Sequence, residues 1–401
     1  MLEALRDRDF RLLWAGRTIS ALGSWLLVIA IPAHVHALTG SLLATGLTLA
    51  FEHLPPLLLG PVAGVLTDRW DRRRVMIAAD LLRAAAVTLM LAATTDHRLI
   101  YAALVAESAG AVLFRPAAQA HVPAVVGTGP GLSSANSLNA FTDGTVRLVA
   151  PPLGAAILTL TSFQTLIWID VTSYLLSALA IACTTRRPSP ARQSTPDLAG
   201  GWKVLRGLPI ARALLPLTAV FLAANASLSA LLVPLGIQRL GGTEQMGLVL
   251  SALGVGFLLG AVAIRRLVDR VRPRFLLAAT QLATAVSLYA LFASTSLAVA
   301  LPAAVAIGTF GSMTLVTPQT ALQRAVPNEA LGRISAVFLS AEALATLLGS
   351  VAGPVLAQAF SLSMAALVAC LVITAGSLAA LAPWDRSRAP EPTVLARGRP
   401  G

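Results

Sequence analysis

Apolar runs of about twenty residues recur from one end of the chain to the other, separated by short polar joints, and a run of that length matches the hydrocarbon thickness of a bilayer. They predict helices over 10–38, 42–66, 75–94, 98–120, 132–160 and 163–183, then over 213–238, 245–268, 275–294, 297–324, 331–358 and 361–382. Backbone amides in lipid must be paired within their own segment, so helices are the expected spanning form. The pattern therefore predicts an all-α membrane protein with twelve transmembrane helices.

The one long polar break carries RRPSPARQSTPD and then a stretch around Trp202 to Arg212 that suits an amphipathic interfacial helix. Its composition marks a linker. The expected organisation is a six-helix bundle over 1–184, a cytoplasmic linker over 185–212, a second six-helix bundle over 213–384 and a basic cytoplasmic tail over 385–401. The halves echo each other. PAAQAHVP at 116–123 parallels PQTALQRAVP at 318–327, aligning Gln119 with Gln323 and Pro123 with Pro327, and Asp68 and Asp269 each follow the second helix of their half. Two such repeats predict pseudo-twofold bundles with a binding site between them near the midplane.

Only 12% of the 401 residues are charged, against roughly a quarter in soluble domains, and the mean hydropathy is +0.77. The net charge of +12 changes meaning once its placement is read. The basic residues sit in the joints, without the interleaved aromatics that stack nucleic-acid bases, so no nucleic-acid partner is expected. Arg69, Arg72, Arg73 and Arg74 follow the second helix, Arg265, Arg266, Arg270, Arg272 and Arg274 follow the eighth, and the linker and both ends are basic. The alternate joints offer only Arg98 and Arg239. The positive-inside rule then predicts cytoplasmic termini. Arg6, Arg8 and Arg11 lead into an apolar run longer than a signal-peptide core, so the first span is expected to act as its own insertion signal. Sparse Lys beside abundant Ala, Arg and Leu suggests a high-GC genome, consistent with a bacterial source, and the expected location is the cytoplasmic (inner) membrane. Cys183 and Cys370 lie in apolar stretches without metal-site or redox spacing and read as packing residues.

GVLTDRWDRRRV at 64–75 resembles the loop signature of the major facilitator superfamily, G-x-L-a-D-R-x-G-R-[KR]. Gly64, Leu66, Asp68, Arg69, Arg72 and Arg73 match, and Asp71 stands where the family has Gly. The resemblance implies that Gly64 permits close helix packing and that Asp68 joins nearby arginines in a charge cluster closing the cytoplasmic gate. GTVRLVAPPLGAA at 144–156 is similar to a degenerate antiporter motif, with Pro151 and Gly154, and GSVAGP in the eleventh helix supplies Gly349, Gly353 and Pro354. Small residues at such spacing also suit plain helix contact. FRLLWAGRTIS (10–20), SANSL (134–138), IDVTSYLLSALA (169–180) and LGRISAVF (331–338) resemble the branch containing enterobactin-exporter and macrolide-efflux proteins. The fourth helix lacks the Arg-x-x-x-Gly pattern of many proton-coupled drug antiporters.

A charge at the centre of a membrane helix costs about 2.5 to 3.5 kcal/mol on insertion scales, so each needs a partner or a task. Arg17, Asp143 and Arg147 suit an intramembrane ion pair that is structural or breaks as the halves rock, and Asp170 in the sixth helix reads as structural. Glu107, with no basic residue one turn away on its own helix, is the leading proton-coupling or substrate candidate, followed by Glu52; Arg115 lies low in the fourth helix. Glu342 falls in the eleventh. His34 and His36 are two apart and make a poor metal pair, so no metal or other cofactor is expected. Asn225, Gln281, Ser312, Thr314 and Gln319 are polar groups suited to the cavity or to bridging helices.

Lys203 is followed by Val rather than the Ser or Thr of a phosphate-binding loop, and no nucleophile, base and orienting group fall into an enzymatic arrangement. A gradient-driven carrier remains. The resemblance implies proton-coupled export of an amphipathic small molecule, a drug, antibiotic or siderophore, by a monomer. An uptake permease for a small polar solute and a non-transporting scaffold or receptor stay open as alternatives.

Overall fold

The computed structural model describes residues 5–92, 96–127, 130–185, 205–268, 270–326 and 328–382; the side chains of 61–69 lie outside that description. The described residues form twelve long helices: α1 Arg8–Thr39, α2 Leu42–Arg69, α3 Arg72–Leu89, α4 His97–Val126, α5 Pro130–Leu160, α6 Phe163–Ala182, α7 Pro209–Ser229, α8 Thr243–Leu267, α9 Pro273–Ala293, α10 Leu297–Ala325, α11 Asn328–Ala359 and α12 Leu362–Ala380. Eleven are long and apolar enough to cross a membrane. The other is α5, whose 31 residues include Asp143, Arg147 and, in its interior, Pro151 and Pro152.

Capping chemistry sets many of the boundaries. Asp7 accepts the Phe10 amide at 3.0 Å to start α1, and Gly40, at φ 62°, ends it by donating to the His36 carbonyl. Ser162 and Ser361 start α6 and α12 in the same way, each accepting the amide three residues on. Asp71, the departure from the loop signature, is the N-cap of α3 and accepts from the Arg74 amide at 3.2 Å, a role in which Asp outperforms most residues. The expected continuous helix over 213–238 is interrupted. α7 stops at Ser229, and a short helix Leu232–Leu235 and a π turn Gly236–Leu240 carry the chain to Gly241 and Gly242, both at positive φ. Of the linker, 186–204 lies outside the described residues; in the rest of the predicted amphipathic stretch, 205–207 form a single helical turn and 209–212 already belong to α7.

The pairings repeat. In the first half α1 packs on α5 and α6, α4 on α2 and α3, and α3 on α6; in the second, α7 packs on α11 and α12, α10 on α8 and α9, and α9 on α12. Each pairing maps onto its counterpart by adding six to the helix number, which defines the pseudo-twofold. The halves meet through α2 against α11 and α5 against α8, a set that the same operation exchanges.

Glycines allow the tightest approaches. A β-carbon on Gly154 would overlap the Leu26 carbonyl oxygen of α1, and one on Gly353 would overlap the Ser227 carbonyl of α7, so α5 and α11 lie backbone to backbone on equivalent helices. Gly349 meets Ala223 in the same manner. The neighbouring prolines point across the halves instead. Pro354 fills the space above Gly46 of α2, while Pro151 and Pro152 back onto Gly247 of α8.

Candidate functional site

Call the face at which α1 begins the terminal face. Among the described residues, the polar contacts between halves lie toward the opposite end. Ser41 Oγ and the Leu43 amide both donate to Gln358 Oε1 at 3.0 Å, and Thr159 Oγ1 donates to Glu244 Oε1 at 3.0 Å. Ile29, Ala33, Ala155 and Val233 form an apolar plug drawn from both halves. Nearer mid-depth, Ser251 Oγ donates to the Leu148 carbonyl at 2.8 Å. Toward the terminal face the apolar clusters no longer mix. Phe10, Leu13, Met76 and Phe114 belong to one cluster, and Leu214, Leu277, Leu322 and Phe338 to another, each confined to one half. Among the described residues, the space between the halves is thus closed at the far face, and no described cluster joins the halves at the terminal one.

The first-half wall of this space is charged. Arg17 Nη2 of α1 lies 2.5 Å from Asp143 Oδ2 of α5, with side chains 34% and 42% exposed, so the pair faces open space. Trp14 Nε1 donates to Thr142 Oγ1 at 3.1 Å, and the Arg147 guanidinium stacks over the Trp25 ring at 5.1 Å. Asp143 is thus held from α1, and Arg147 rests on an aromatic face, a favourable seat for a guanidinium. Glu52 is exposed on α2, next to His53. Arg115 and Gln119 are exposed on α4.

Glu107 is not a lone carboxylate. Arg83 of α3 reaches it with Nε and Nη2, each 2.9 Å from Oε1, and the Tyr174 hydroxyl of α6 donates to the same oxygen at 2.8 Å. Inspection of α4 alone could not show a partner that arrives from a packed neighbour. Asp80, fully buried, lies 3.5 Å from Arg83 Nη1, Arg83 contacts Ser20 and Ser24 of α1, and its guanidinium lies 4.2 Å from the Tyr174 ring centroid. Asp170, buried on α6, accepts from Ser173 Oγ at 3.2 Å and adds its charge to the group. Sequence reasoning missed Asp80 and Arg83. Their signal was present as an acid and a base three apart inside an apolar span, the criterion that singled out Asp143 and Arg147.

Of the loop signature, Arg73 donates through Nε to the Ile181 carbonyl at 3.1 Å and through Nη2 to the Ala182 carbonyl, neutralising the C-terminal end of α6; a cation there also meets the negative end of the helix dipole. Arg72 is half-buried, and the side chains of Gly64, Asp68 and Arg69 lie outside the described residues, as does Asp269. His34 stacks on Phe163 and His36 bonds Thr45 Oγ1, so the two serve separate contacts.

The second half offers a different surface. A cavity of about 150 Å³ between α7, α8, α9 and α10 is lined by Phe221, Asn225, Phe257, Gly311 and Leu315, among others. Asn225 and Gln319 keep some exposure, whereas Gln281, Ser312 and Thr314 are buried among helices. A larger depression, about 500 Å³, lies outside this space between α1 and α6 near Trp168.

Residues 1–390 match the model of the transmembrane secretion effector family, a major facilitator family. The chain belongs to that family. It is 26% identical over 379 residues to the MFS-type transporter YfiS of Bacillus subtilis, covering 91% of this chain and 90% of YfiS. Over 347 residues it is 26% identical to the enterobactin exporter EntS of Escherichia coli, covering 82% and 80%. A shorter match, 28% over 177 residues, reaches macrolide efflux protein A of Streptococcus pyogenes and covers 43% and 44%. Among solved structures, the nucleoside transporter NupG superposes with a TM-score of 0.79 at 9% identity, covering 93% of this chain and 99% of NupG. That likeness concerns the fold, which is the major facilitator fold. The protein is a multi-pass membrane transporter of small molecules and not an enzyme.

Proposed function

We propose that this transporter exports an amphipathic organic compound across a bacterial cytoplasmic membrane in exchange for protons. The observation that carries the reading is the asymmetry of the halves: exposed ionic side chains stand on α1, α2, α4 and α5 of the first, whereas the cavity described in the second is apolar and holds the amide of Asn225. A compound with a polar head and an aromatic or aliphatic body fits both walls. Efflux relatives among macrolide and siderophore carriers support the direction.

The arginine-rich joints assign the terminal face to the cytoplasm, with both termini there. The access path then opens inward, ready to load. Units 1–184 and 213–384 rock about the α2–α11 and α5–α8 contacts, with 185–212 as their cytoplasmic tether, and each chain works as a monomer because it holds both halves. Asp68 with the arginines of its loop closes the cytoplasmic side when the far face opens. Arg17 and Asp143, accessible in this state, part or reform during the cycle.

An uptake permease is the second reading. Accumulation of fluorescent cations, macrolides and catecholate siderophores in expressing cells, with and without a protonophore, separates the two: export lowers accumulation and the protonophore restores it, whereas uptake raises it.

A further inference from the structure

The acids of the first half outnumber the base that serves them. Asp80, Glu107 and Asp170 surround the single guanidinium of Arg83. Fully ionised, three carboxylates against one guanidinium leave a net two negative charges in an interior that tolerates charge only when it is paired. Asp80 is fully buried, with Arg83 Nη1 at 3.5 Å and the Ser177 hydroxyl as its neighbouring donors. A carboxylate has about four lone-pair sites to fill, more than two such donors serve, and a proton of its own relieves the deficit.

The second half shows that this charge is not needed to build the bundle. α7, α9, α10 and α12, the counterparts of α1, α3, α4 and α6, contain no Asp or Glu. Counted from the first residue of each helix, Asp80 corresponds to Gln281, Arg83 to Thr284, Asp170 to Ala369 and Tyr174 to Ile373, all buried. One architecture thus occurs twice, once with an ionic core and once with a neutral one. Groups that packing does not require, and that insertion into a membrane penalises, call for a function.

The cluster also has an entrance. The Glu107 side chain keeps 16% exposure, while Asp80 and Asp170 are buried. The Tyr174 hydroxyl bridges Glu107 at 2.8 Å and Ser24 at 2.9 Å. Around Asp80 the facing groups are Arg83 on its own helix, Glu107 on α4, Asp170, Tyr174 and Ser177 on α6, and Ser20 and Ser24 on α1.

We infer that Asp80 and Asp170 are the proton-carrying groups of this transporter, loaded through Glu107, with Arg83 as the fixed counter-charge. Loading forms an O–H bond on an aspartate carboxylate with a proton delivered from water; release breaks that bond and returns the proton to water on the other side. The assignment rests on the proton-exchange reading above, and it places the proton site behind the cavity wall.

Infrared spectroscopy of the full chain in lipid, with isotope-labelled aspartate, reads the carboxyl directly. The expected spectrum shows a protonated aspartic acid carbonyl band at neutral pH, and the Asp80→Asn/Asp170→Asn double variant loses it while keeping the helical amide signal. A wild-type spectrum in which every labelled aspartate is ionised overturns the assignment without any variant, as does a band that survives in the double variant. Because the band reports protons whether or not a compound moves, a protonated cluster in a protein without proton-driven export would sink the function and spare the site. An ionised cluster in a working proton-driven exporter would do the reverse.

Discussion

Arg83 on α3 grips Glu107 on α4 through two nitrogens, both 2.9 Å from one carboxylate oxygen. The guanidinium is also the nearest cation to buried Asp80. Removing it strands Glu107, and breaking a buried pair by deleting one partner costs roughly 3–5 kcal/mol. Arg83→Met should therefore lower the thermal midpoint in detergent sharply. Arg83→Lys should recover only part, since an ammonium lacks the planar fork that meets Glu107. Equal midpoints for wild type and Arg83→Met would remove Arg83 from this role.

Gly353 and Gly311 make opposite demands. Gly353 lies against the Ser227 backbone, whereas a β-carbon on Gly311 meets nothing within 4 Å. Gly353→Val forces α11 off α7, an overpacking that costs typically 1–3 kcal/mol, about the loss expected in a denaturation midpoint. Gly311→Ala should be nearly silent. A larger side chain, as in Gly311→Leu, enters the cavity beside Asn225 and Phe257, so it should change which compounds are excluded from cells more than it changes stability. Comparable losses of stability for Gly353→Val and Gly311→Ala would refute the packing account.

Ser41 and Gln358 join the halves at the far face. A short reducible cross-linker between Ser41→Cys and Gln358→Cys, in a background where exposed Cys183 is replaced, should hold that face shut. Export should stop on cross-linking and return on reduction. Full activity in the cross-linked protein would mean that this contact does not part during transport.

Asp71 caps α3 through the Arg74 amide, and loss of such a cap costs roughly 0.5–2 kcal/mol. Asp71→Ala should lower stability by about that much, and Asp71→Asn or Asp71→Ser should restore most of it. Asp71→Gly, the residue usual in the loop signature, should be tolerated better than Ala. An unaltered midpoint in Asp71→Ala would show that the cap is idle.

The spans, the halves and the family were legible because a bilayer imposes apolar length and a loop motif carries its own spacing. What escaped were relations across helices. Glu107 looked solitary on α4 because its partners sit 24 residues earlier and 67 later. The break after Ser229 is hidden for a similar reason: the residues around Ala230 and Leu231 are as apolar as the helix they interrupt. Gly349 and Gly353 showed their small-residue spacing in advance, but only the fold tells which helix they touch and that Pro354 faces the opposite half. Asp71 looked like a flaw in the motif until α3 was seen to begin beside it.

Proton exchange is the central claim, and everted membrane vesicles test it most directly. Respiration acidifies their interior, which corresponds to the outside of the cell. Adding the compound that the accumulation panel identifies should let protons out as the compound enters, seen as recovery of a quenched acridine dye in vesicles bearing the protein and not in control vesicles. Entry of the compound with no change in the acid interior would contradict proton-coupled export.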